Sequence, residues 1–250
     1  MLSAAPDQMD GPRLAGMGAF VTTLNRHSFF PPGGALPLHR LTGAGLAQSA
    51  SRRADKRSLI TDAAVEVFAE KGFHQARVSD IARRAGVADG TIYLYFKNKE
   101  DLLLSIFEEK MDQLLEGLGE ALADTDDPIE RVRRYARFHF QQVRENRAAA
   151  EVLQVELRLS NKFLKEYRPE KLWAYLGVFG QIVREGQAKG LFRADVDPFI
   201  GMWSFFGALD ELAMQWVLSR KQDRFPLDQA ADQVADVFIR GIRTDAATNR

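Results

Sequence analysis

The chain has 250 residues, of which 46% are hydrophobic, and its 34 basic and 34 acidic side chains leave no net charge. This length suits one or two globular domains, and no apolar run reaches the ~20 residues of a membrane span. The absence of cysteine excludes disulfides, thiolate metal ligands and cysteine nucleophiles. His27, His39, His74 and His139 are far apart in the sequence. We therefore expect no metal site, no cofactor and no membrane segment.

Residues 1–50 carry five of the nine prolines and many of the glycines, without a sustained apolar period. Such a segment buries too little apolar surface to offset the entropy of ordering it. It also lacks the basic start and continuous apolar core of a signal peptide. The sequence therefore predicts a disordered extension on a cytoplasmic protein.

Helical periodicity begins at Asp55, and one apolar stripe continues until Gly72, which is expected to end the first helix. A short second helix ends at Gly86, and a third is predicted from about Ala88 to Phe96. These three helices form a first predicted helical domain over residues 51–99.

The rest of the chain also has helical periodicity and no strand alternation. Asn98 is placed to cap a fourth helix that runs to about Ala123, and Asp127 precedes a proline in the pattern of a helix start. Further helices are predicted from about residues 148, 169, 198 and 227. The fold class is therefore all-α, with a second helical domain over residues 100–245.

A helix-turn-helix needs two short helices that cross closely through a turn. Ala82 and Ala85 provide small side chains for this crossing, and Gly86 tolerates a positive φ in the turn. Ile92 and Phe96 are expected to anchor the third helix to the core. This arrangement leaves residues 89–91 and 93–95 near or on the outward face.

Hydroxyls and flat rings on this outward face suit phosphate oxygens and thymine methyl groups in the major groove of double-stranded DNA. Gly90 would allow a close backbone approach, and Lys97 and Lys99 lie where a helix start favours phosphate. Residues 51–99, which carry ten basic against six acidic side chains, are therefore predicted to be a helix-turn-helix DNA-binding domain. The alternative interpretation is that Tyr93 and Tyr95 are ordinary half-buried aromatic residues.

Residues 81–103, IARRAGVADGTIYLYFKNKEDLL, closely resemble the signature of TetR-family repressors. The resemblance implies a homodimer of nine- or ten-helix subunits, each with an N-terminal DNA-binding domain and a C-terminal domain for a small effector. Matched residue by residue, it implies DNA contacts at Arg77, Ser79, Thr91, Tyr93, Leu94, Tyr95 and Lys99.

The chain departs from the family pattern at two positions. Ala76 and Arg77 replace the threonine that commonly precedes the second helix, and Ala88 replaces a common serine. We hypothesise that Arg77 takes over the phosphate contact of the missing threonine.

The two final helices are the predicted dimer interface, because the first of them is apolar nearly all round, as expected of a helix buried on two sides. Gly201 and Gly207 would permit close helix approach. The alternative is that these side chains serve the core of one chain. The expected interface residues are Met202, Phe206, Leu209, Trp216, Val234 and Phe238.

Large apolar side chains in the central helices predict a pocket for a hydrophobic effector, with a packed core as the alternative. The candidate lining residues are Phe107, Phe138, Val152, Leu153, Leu157, Phe179 and Val183. Residues 156–161, ELRLSN, and residues 88–110 resemble the acyl-CoA-responsive, fatty-acid-degradation branch of the family. This resemblance implies a long-chain acyl-CoA effector whose phosphates Arg158 would meet as a guanidinium fork. Arg158 in a surface ion pair is equally compatible with the sequence.

Two other functions are considered. The same fold with a drug or another hydrophobic cation as its ligand would favour acidic side chains in the pocket, and the central helices offer few. A helical enzyme would need a clustered acid, base or metal set, and the sequence shows none. His139 is a lone histidine on a helix and is expected to be satisfied within the structure. We therefore expect a ligand-responsive repressor that is not an enzyme, in which residues 100–245 form the helical ligand-binding and dimerisation domain.

Overall fold

The computed structural model describes residues 43–156, 168–219 and 225–244, with side chains for residues 53–155, 168–219 and 225–244. Within these ranges the chain is all-α, as predicted, and has no β-strand. A π-helical turn, Val152–Glu156, continues α6. The α-helices are α1 (Gly43–Lys71), α2 (Val78–Ala85), α3 (Asp89–Ile92), α4 (Lys99–Leu122), α5 (Pro128–Glu145), α6 (Arg147–Glu151), α7 (Glu170–Ala188), α8 (Pro198–Leu218) and α9 (Leu227–Ile242).

Two helix bounds differ from the sequence prediction. Helix α1 begins at Gly43 rather than near Asp55, so the end of the predicted extension is helical. Residues 1–42 of that extension lie outside the described residues. Helix α3 is a single turn that ends at Ile92, and residues 93–95 form a turn rather than a continued helix.

Local sequence signals set the other helix starts as predicted. The side chain of Asn98 accepts a hydrogen bond from the backbone N–H of Asp101 at 2.8 Å, and Asp127 accepts one from Ile129 at 3.0 Å. Both are N-caps that satisfy a backbone donor without an intrahelical partner. Gly86 has a φ of 66°, the left-handed conformation expected for the turn between α2 and α3.

The N-terminal helices share a tightly packed core. Phe68 of α1, Ile81 of α2 and Ile92 of α3 are almost completely buried, and Phe96 is buried beside them. The guanidinium of Arg57 lies 4.7 Å from the ring centre of Phe96 and covers it. Ile92 and Phe96 therefore anchor the segment after the turn, as the sequence predicts.

The C-terminal helices surround an aromatic cluster. The rings of Phe179 on α7 and Phe205 on α8 stack with their centres 4.0 Å apart. The ring of Tyr135 on α5 makes an edge-to-face contact with Phe205, with 5.6 Å between the ring centres. Phe238 on α9 packs against Phe205 at 5.0 Å. This cluster joins four helices around one core.

The α7–α8 connection is fastened to the segment after α9. The backbone N–H of Arg193 donates to the carbonyl of Ile242 at 2.8 Å, and that of Thr244 donates to the carbonyl of Leu191 at 3.1 Å. None of the described helices is both long and apolar enough to cross a membrane.

Candidate functional site

The turn after α3 presents two large side chains to solvent. Tyr93 is 58% exposed and Leu94 is 72% exposed, although Ile92 and Phe96 on either side are buried. The anchors hold the backbone, so the exposed side chains project from a rigid support. Large apolar side chains in adjacent exposed positions are typical of a surface that binds a partner.

The neighbouring residues complete this surface, which we call the reading surface and define as residues 88–97. Gly90 is exposed, and a Cβ atom added to it would meet no atom within 4 Å. Thr91 and Tyr95 are half-buried, and the Arg53 guanidinium lies 5.8 Å from the Tyr95 ring centre. Tyr93 fits the outward position predicted from sequence, whereas Tyr95 is closer to the half-buried alternative.

Three further predicted DNA-contact residues are exposed. Arg77 and Ser79 lie at the start of α2, and Lys97 precedes the cap of α4. Within the described part of the chain, no acidic side chain pairs with Arg77 or Lys97. The N-cap of α2 is Arg77, which makes no side-chain cap hydrogen bond, and the carboxylate of Asp80 accepts a hydrogen bond from the backbone N–H of Arg77 at 3.3 Å. The side chain of Arg77 is left available to a phosphate.

Lys99 is not placed as predicted. Its Nζ atom donates to the carbonyl oxygens of Phe73 at 2.5 Å and Ala76 at 3.0 Å, and it lies 3.3 Å from that of His74. It also lies 4.5 Å from the ring centre of Phe73. An ammonium has three N–H donors, and these contacts occupy them all. Lys99 therefore fastens the α1–α2 connection, which argues against the predicted phosphate contact.

Several basic side chains of this domain form ion pairs with its own acidic side chains. Arg84 contacts Glu66 at 2.5 Å and Glu70 at 2.7 Å, and its guanidinium lowers the pKa of Glu70. The hydrogen bond from Lys71 lowers the pKa of Asp80, with further contributions from the backbone of Arg77 and the charge of Arg83. These ion pairs hold α2 against α1.

A cavity of about 170 Å³ lies between α4, α5, α6, the π-helical turn, α7 and α8. Phe107, Lys110, Met111 and Leu114 line it from α4 at spacings of three and four residues, which place them on one helix face. The α5 side has the same periodicity. The residues from the other elements are His139, Gln142, Val143, Asn146, Ala149, Ala150, Leu153, Gln154, Leu172, Tyr175, Phe206 and Asp210, with Gln113 from α4.

The sequence identified part of this cavity. Phe107 and Leu153 line it, as predicted. Leu157 and Arg158 lie outside the described residues. The other predicted lining residues belong to the packed core: Phe138, Val152, Phe179 and Val183 are buried and lie outside the lining. Phe179 is excluded because its ring stacks on that of Phe205.

The cavity wall includes a buried polar network that the sequence analysis missed. The Nδ1 atom of His139 lies 3.1 Å from the hydroxyl of Tyr175, and the hydroxyl of Tyr135 donates to the carbonyl oxygen of Tyr175 at 3.1 Å. Burial lowers the pKa of His139 to about 4 and raises the pKa of both tyrosines. Within the described residues, His139 Nε2 and Gln154 Oε1 are buried without a hydrogen-bond partner. The sequence feature that could have revealed this network is the spacing of His139, Gln142 and Asn146 by three and four residues, which places them on one face of α5.

The predicted dimer residues are mostly buried within the single chain. Leu209 is completely buried, and Met202, Trp216 and Val234 are at most 9% exposed. Phe206 lines the cavity, and Phe238 packs on the core aromatic cluster. The structure therefore corrects this assignment: these side chains stabilise the subunit. Periodicity alone does not distinguish the two sides of a helix that is apolar nearly all round.

Other apolar residues of α8 and α9 are exposed. Ile200 is 64% exposed, Leu218 54% and Val237 68%. On α8, Ile200, Gly207 and Leu218 lie near one helix face, and a Cβ atom added to Gly207 would meet nothing within 4 Å. Gly201, in contrast, is buried against its own subunit. We call Ile200, Gly207, Leu218 and Val237 the exposed α8–α9 face.

A short, anchored surface helix after a tight turn, connected through α4 to a helical domain with an internal cavity, is the architecture of a ligand-responsive helix-turn-helix regulator. Comparison with known families agrees. Residues 60–106 match the model described as bacterial regulatory proteins, tetR family, and residues 107–241 match that of the YsiA-like protein, C-terminal region. The chain belongs to the TetR family.

Individual relatives cover almost the same part of the chain. The fatty acid metabolism regulator protein of Bacillus subtilis (strain 168) is 40% identical over 183 residues, which are 73% of this chain and 93% of the relative. The crystal structure of the transcriptional regulator FadR from Bacillus subtilis in complex with stearoyl-CoA superposes with a TM-score of 0.69 at 39% identity, covering 74% of this chain and 99% of that one. The fatty acid degradation regulator FadR from Bacillus halodurans has the same TM-score at 40% identity, with coverages of 74% and 95%. These relatives are regulators, not enzymes.

Proposed function

We propose that this protein is a cytoplasmic, homodimeric transcriptional repressor that leaves a palindromic DNA operator when a long-chain acyl-CoA enters its cavity. The observation that carries the proposal is the course of α4. Its N-cap, Asn98, directly follows the reading surface, and its lining residues, from Phe107 to Leu114, form one wall of the cavity. One rigid element thus borders both the DNA-contact region and the ligand site.

The reading surface supports the DNA part of the proposal. Tyr93 and Leu94 are exposed on a rigid support, and the same domain carries Arg77 and Lys97, which pair with no acidic side chain of the described residues. Side chains of this kind contact base edges and thymine methyl groups, while the cations contact phosphates. One such surface makes few contacts, so specific binding needs two of them about one DNA turn, ~34 Å, apart.

The exposed α8–α9 face supports the dimer. Ile200, Leu218 and Val237 are largely exposed, and burying them against a second copy would remove apolar surface from water. Gly207 leaves room for the partner helix to approach. Sedimentation equilibrium of the wild type is expected to give a dimer, and Val237→Glu is expected to shift it towards monomer. Gln229→Glu, an exposed polar position on the same helix, is the matched control.

The cavity supports a hydrophobic effector with a polar portion. Phe107, Met111 and Leu153 provide an apolar wall, and Gln142 and Asn146 add polar groups. Its volume of about 170 Å³ is below the ~300–1,000 Å³ of typical ligand pockets, so a long acyl chain must separate the helices that enclose it. The similarity to a FadR crystallised with stearoyl-CoA favours acyl-CoA as that effector.

Separation of the helices around the cavity can be transmitted to α4, because ion pairs join α7 to α4. The Nζ atom of Lys171 lies 2.7 Å from carboxylate oxygens of both Glu108 and Asp112. Expansion of the cavity would therefore displace α4 together with its neighbour. The reading surfaces of the dimer would then lose the spacing that two adjacent major grooves require.

The test is operator release. Binding sites selected from random DNA are labelled with a fluorophore, and anisotropy follows their complex with the protein. Palmitoyl-CoA at micromolar concentration is expected to release the DNA, whereas CoA and palmitate added separately are not. Retention of the operator at saturating palmitoyl-CoA would contradict the proposal, most directly if a ligand of another class released it.

A further inference from the structure

Two buried polar atoms in the cavity wall lack a hydrogen-bond partner among the described residues: His139 Nε2 and Gln154 Oε1. Both side chains are more than nine-tenths buried. A buried polar group without a partner costs roughly 1–3 kcal/mol, so such atoms call for an explanation in each case. Here both side chains line the same cavity, which suggests that the missing partner is a ligand.

The position of the proton on His139 follows from its other contact. Burial lowers the pKa of the ring to about 4, so the imidazole is neutral near pH 7. The Tyr175 hydroxyl lies 3.1 Å from Nδ1 and also interacts with the side chain of Tyr135. We assign the O–H of Tyr175 as the donor to Nδ1, which places the single proton of the neutral ring on Nε2. The cavity therefore contains an N–H donor fixed by a buried tyrosine.

The ring of His139 is also held in place by its neighbours. The ring centres of Phe140 and Phe206 lie 5.6 Å and 6.1 Å from the ring centre of His139, and both contacts are edge-to-face. Gln154 lies on the π-helical turn Val152–Glu156, an uncommon local structure that occurs frequently at functional sites. Both polar groups are thus built into the wall, on rigid α5 and on a specialised turn.

We infer that His139 Nε2–H donates a hydrogen bond to the thioester carbonyl oxygen of the effector, and that Gln154 receives the next polar group along the ligand. This inference rests on the proposed acyl-CoA function and deepens it. It assigns the polar part of the cavity to the junction between the acyl chain and the CoA arm. A simple hydrocarbon chain would leave both buried groups unpaired.

The assignment fits the distribution of side chains around the two groups. His139 shares its helix face with Gln142 and Asn146, whereas Phe107, Met111 and Leu114 from α4 provide apolar surface. An acyl thioester has the same division, because a polar carbonyl and amide arm follows an apolar tail. Asp210 and Lys110 both line the cavity, so the wall carries no excess of acidic side chains that would favour a cationic ligand.

The test compares two ligands that differ at the carbonyl alone. Calorimetric titration of the full-length protein measures the dissociation constants of palmitoyl-CoA and of S-hexadecyl-CoA, the thioether of equal chain length. Loss of a buried hydrogen bond corresponds to about a tenfold weaker affinity, so the wild type is expected to prefer the thioester by roughly that factor. His139→Phe is expected to bring the ratio near one. His139→Gln, which retains an N–H close to Nε2, is expected to restore part of the preference.

His74→Phe is the matched control, because it makes the same change at an exposed histidine outside the cavity, and it is expected to keep the wild-type ratio. Equal affinity of the wild type for the two ligands would overturn the inference while leaving the acyl-CoA function intact. Failure of palmitoyl-CoA to bind would overturn the proposed function, and the inference with it. The wild-type comparison does not depend on whether a variant folds.

Discussion

The ammonium of Lys99 lies 2.5 Å from the carbonyl oxygen of Phe73 and 4.5 Å from the centre of the same residue's ring. Lys99 is the first residue of α4, and Phe73 lies between α1 and α2. The start of α4 is thus fastened to the connection that leads into the helix-turn-helix. A displacement of α4 must carry this connection with it, which links the cavity wall to the DNA-contact domain.

Replacement of Lys99 by alanine is therefore expected to act on stability. It leaves the carbonyl oxygens of Phe73 and Ala76 without their donor, and we expect a loss of about 1–2 kcal/mol in the free energy of unfolding. Urea denaturation followed by circular dichroism measures this loss. An unchanged midpoint, together with weaker operator binding, would restore Lys99 to the role of a phosphate contact.

Arg77→Ala, in contrast to Lys99→Ala, is expected to affect operator binding rather than stability. Arg77 is exposed and pairs with no acidic side chain in the described structure, so its removal should weaken operator binding at nearly unchanged stability. Loss of one phosphate contact lowers the slope of log K against log salt by about one. Anisotropy titrations at salt concentrations from about 50 to about 200 mM measure this slope. Arg184→Ala, an exposed arginine on α7, is the control and should leave the slope unchanged.

Tyr93→Ala and Leu94→Ala are expected to separate DNA recognition from folding. Both side chains are largely exposed, so each substitution should cost operator affinity, on the order of 1–3 kcal/mol, with little change in thermal stability. Ile92→Ala, one position away but buried, should instead destabilise the protein by about 2–4 kcal/mol. If the Tyr93 variant unfolded like the Ile92 variant, its ring would be part of the core.

The stability of the protein should fall in mild acid because of His139. Its pKa is about 4 in the folded protein and near 6.5 when unfolded, so between these values the unfolded chain binds more protons. Stability from this group is fully present above about pH 6.5 and is lost as the pH falls towards 4, by about 3 kcal/mol in all. Denaturant titrations from pH 7 to 4 measure it. His139→Phe should flatten this part of the profile, and an unchanged profile would contradict the buried neutral imidazole.

Local signals accounted for the features that the sequence predicted well. Gly86 and Asn98 act on backbone groups within three or four residues, so their roles can be inferred without a fold. Lys99 could not be placed in this way, because its acceptors lie 23 to 26 residues earlier in the chain. The sequence pattern was compatible with both a phosphate contact and an internal tie.

The same limit applies to the interface and the cavity. Leu209 and Ile200 are both apolar residues of α8, yet Leu209 is completely buried within the subunit and Ile200 is 64% exposed. Composition does not separate these positions, since both suit an apolar helix. His139 was expected to be satisfied, and among the described residues only its Nδ1 atom has a hydrogen-bond partner. That Nε2 lacks a hydrogen-bond partner can be seen only when the neighbouring helices are in place.

The central claim is that ligand binding changes the separation of the two reading surfaces, and the cysteine-free sequence allows a direct measurement. Ala88→Cys places one unique thiol per subunit at the exposed N-cap of α3 for a nitroxide label. Double electron–electron resonance then gives the distance between the labels of the dimer. We expect one main distance without ligand and a shift of several ångströms on saturation with palmitoyl-CoA. An identical distance distribution with bound palmitoyl-CoA would contradict the account.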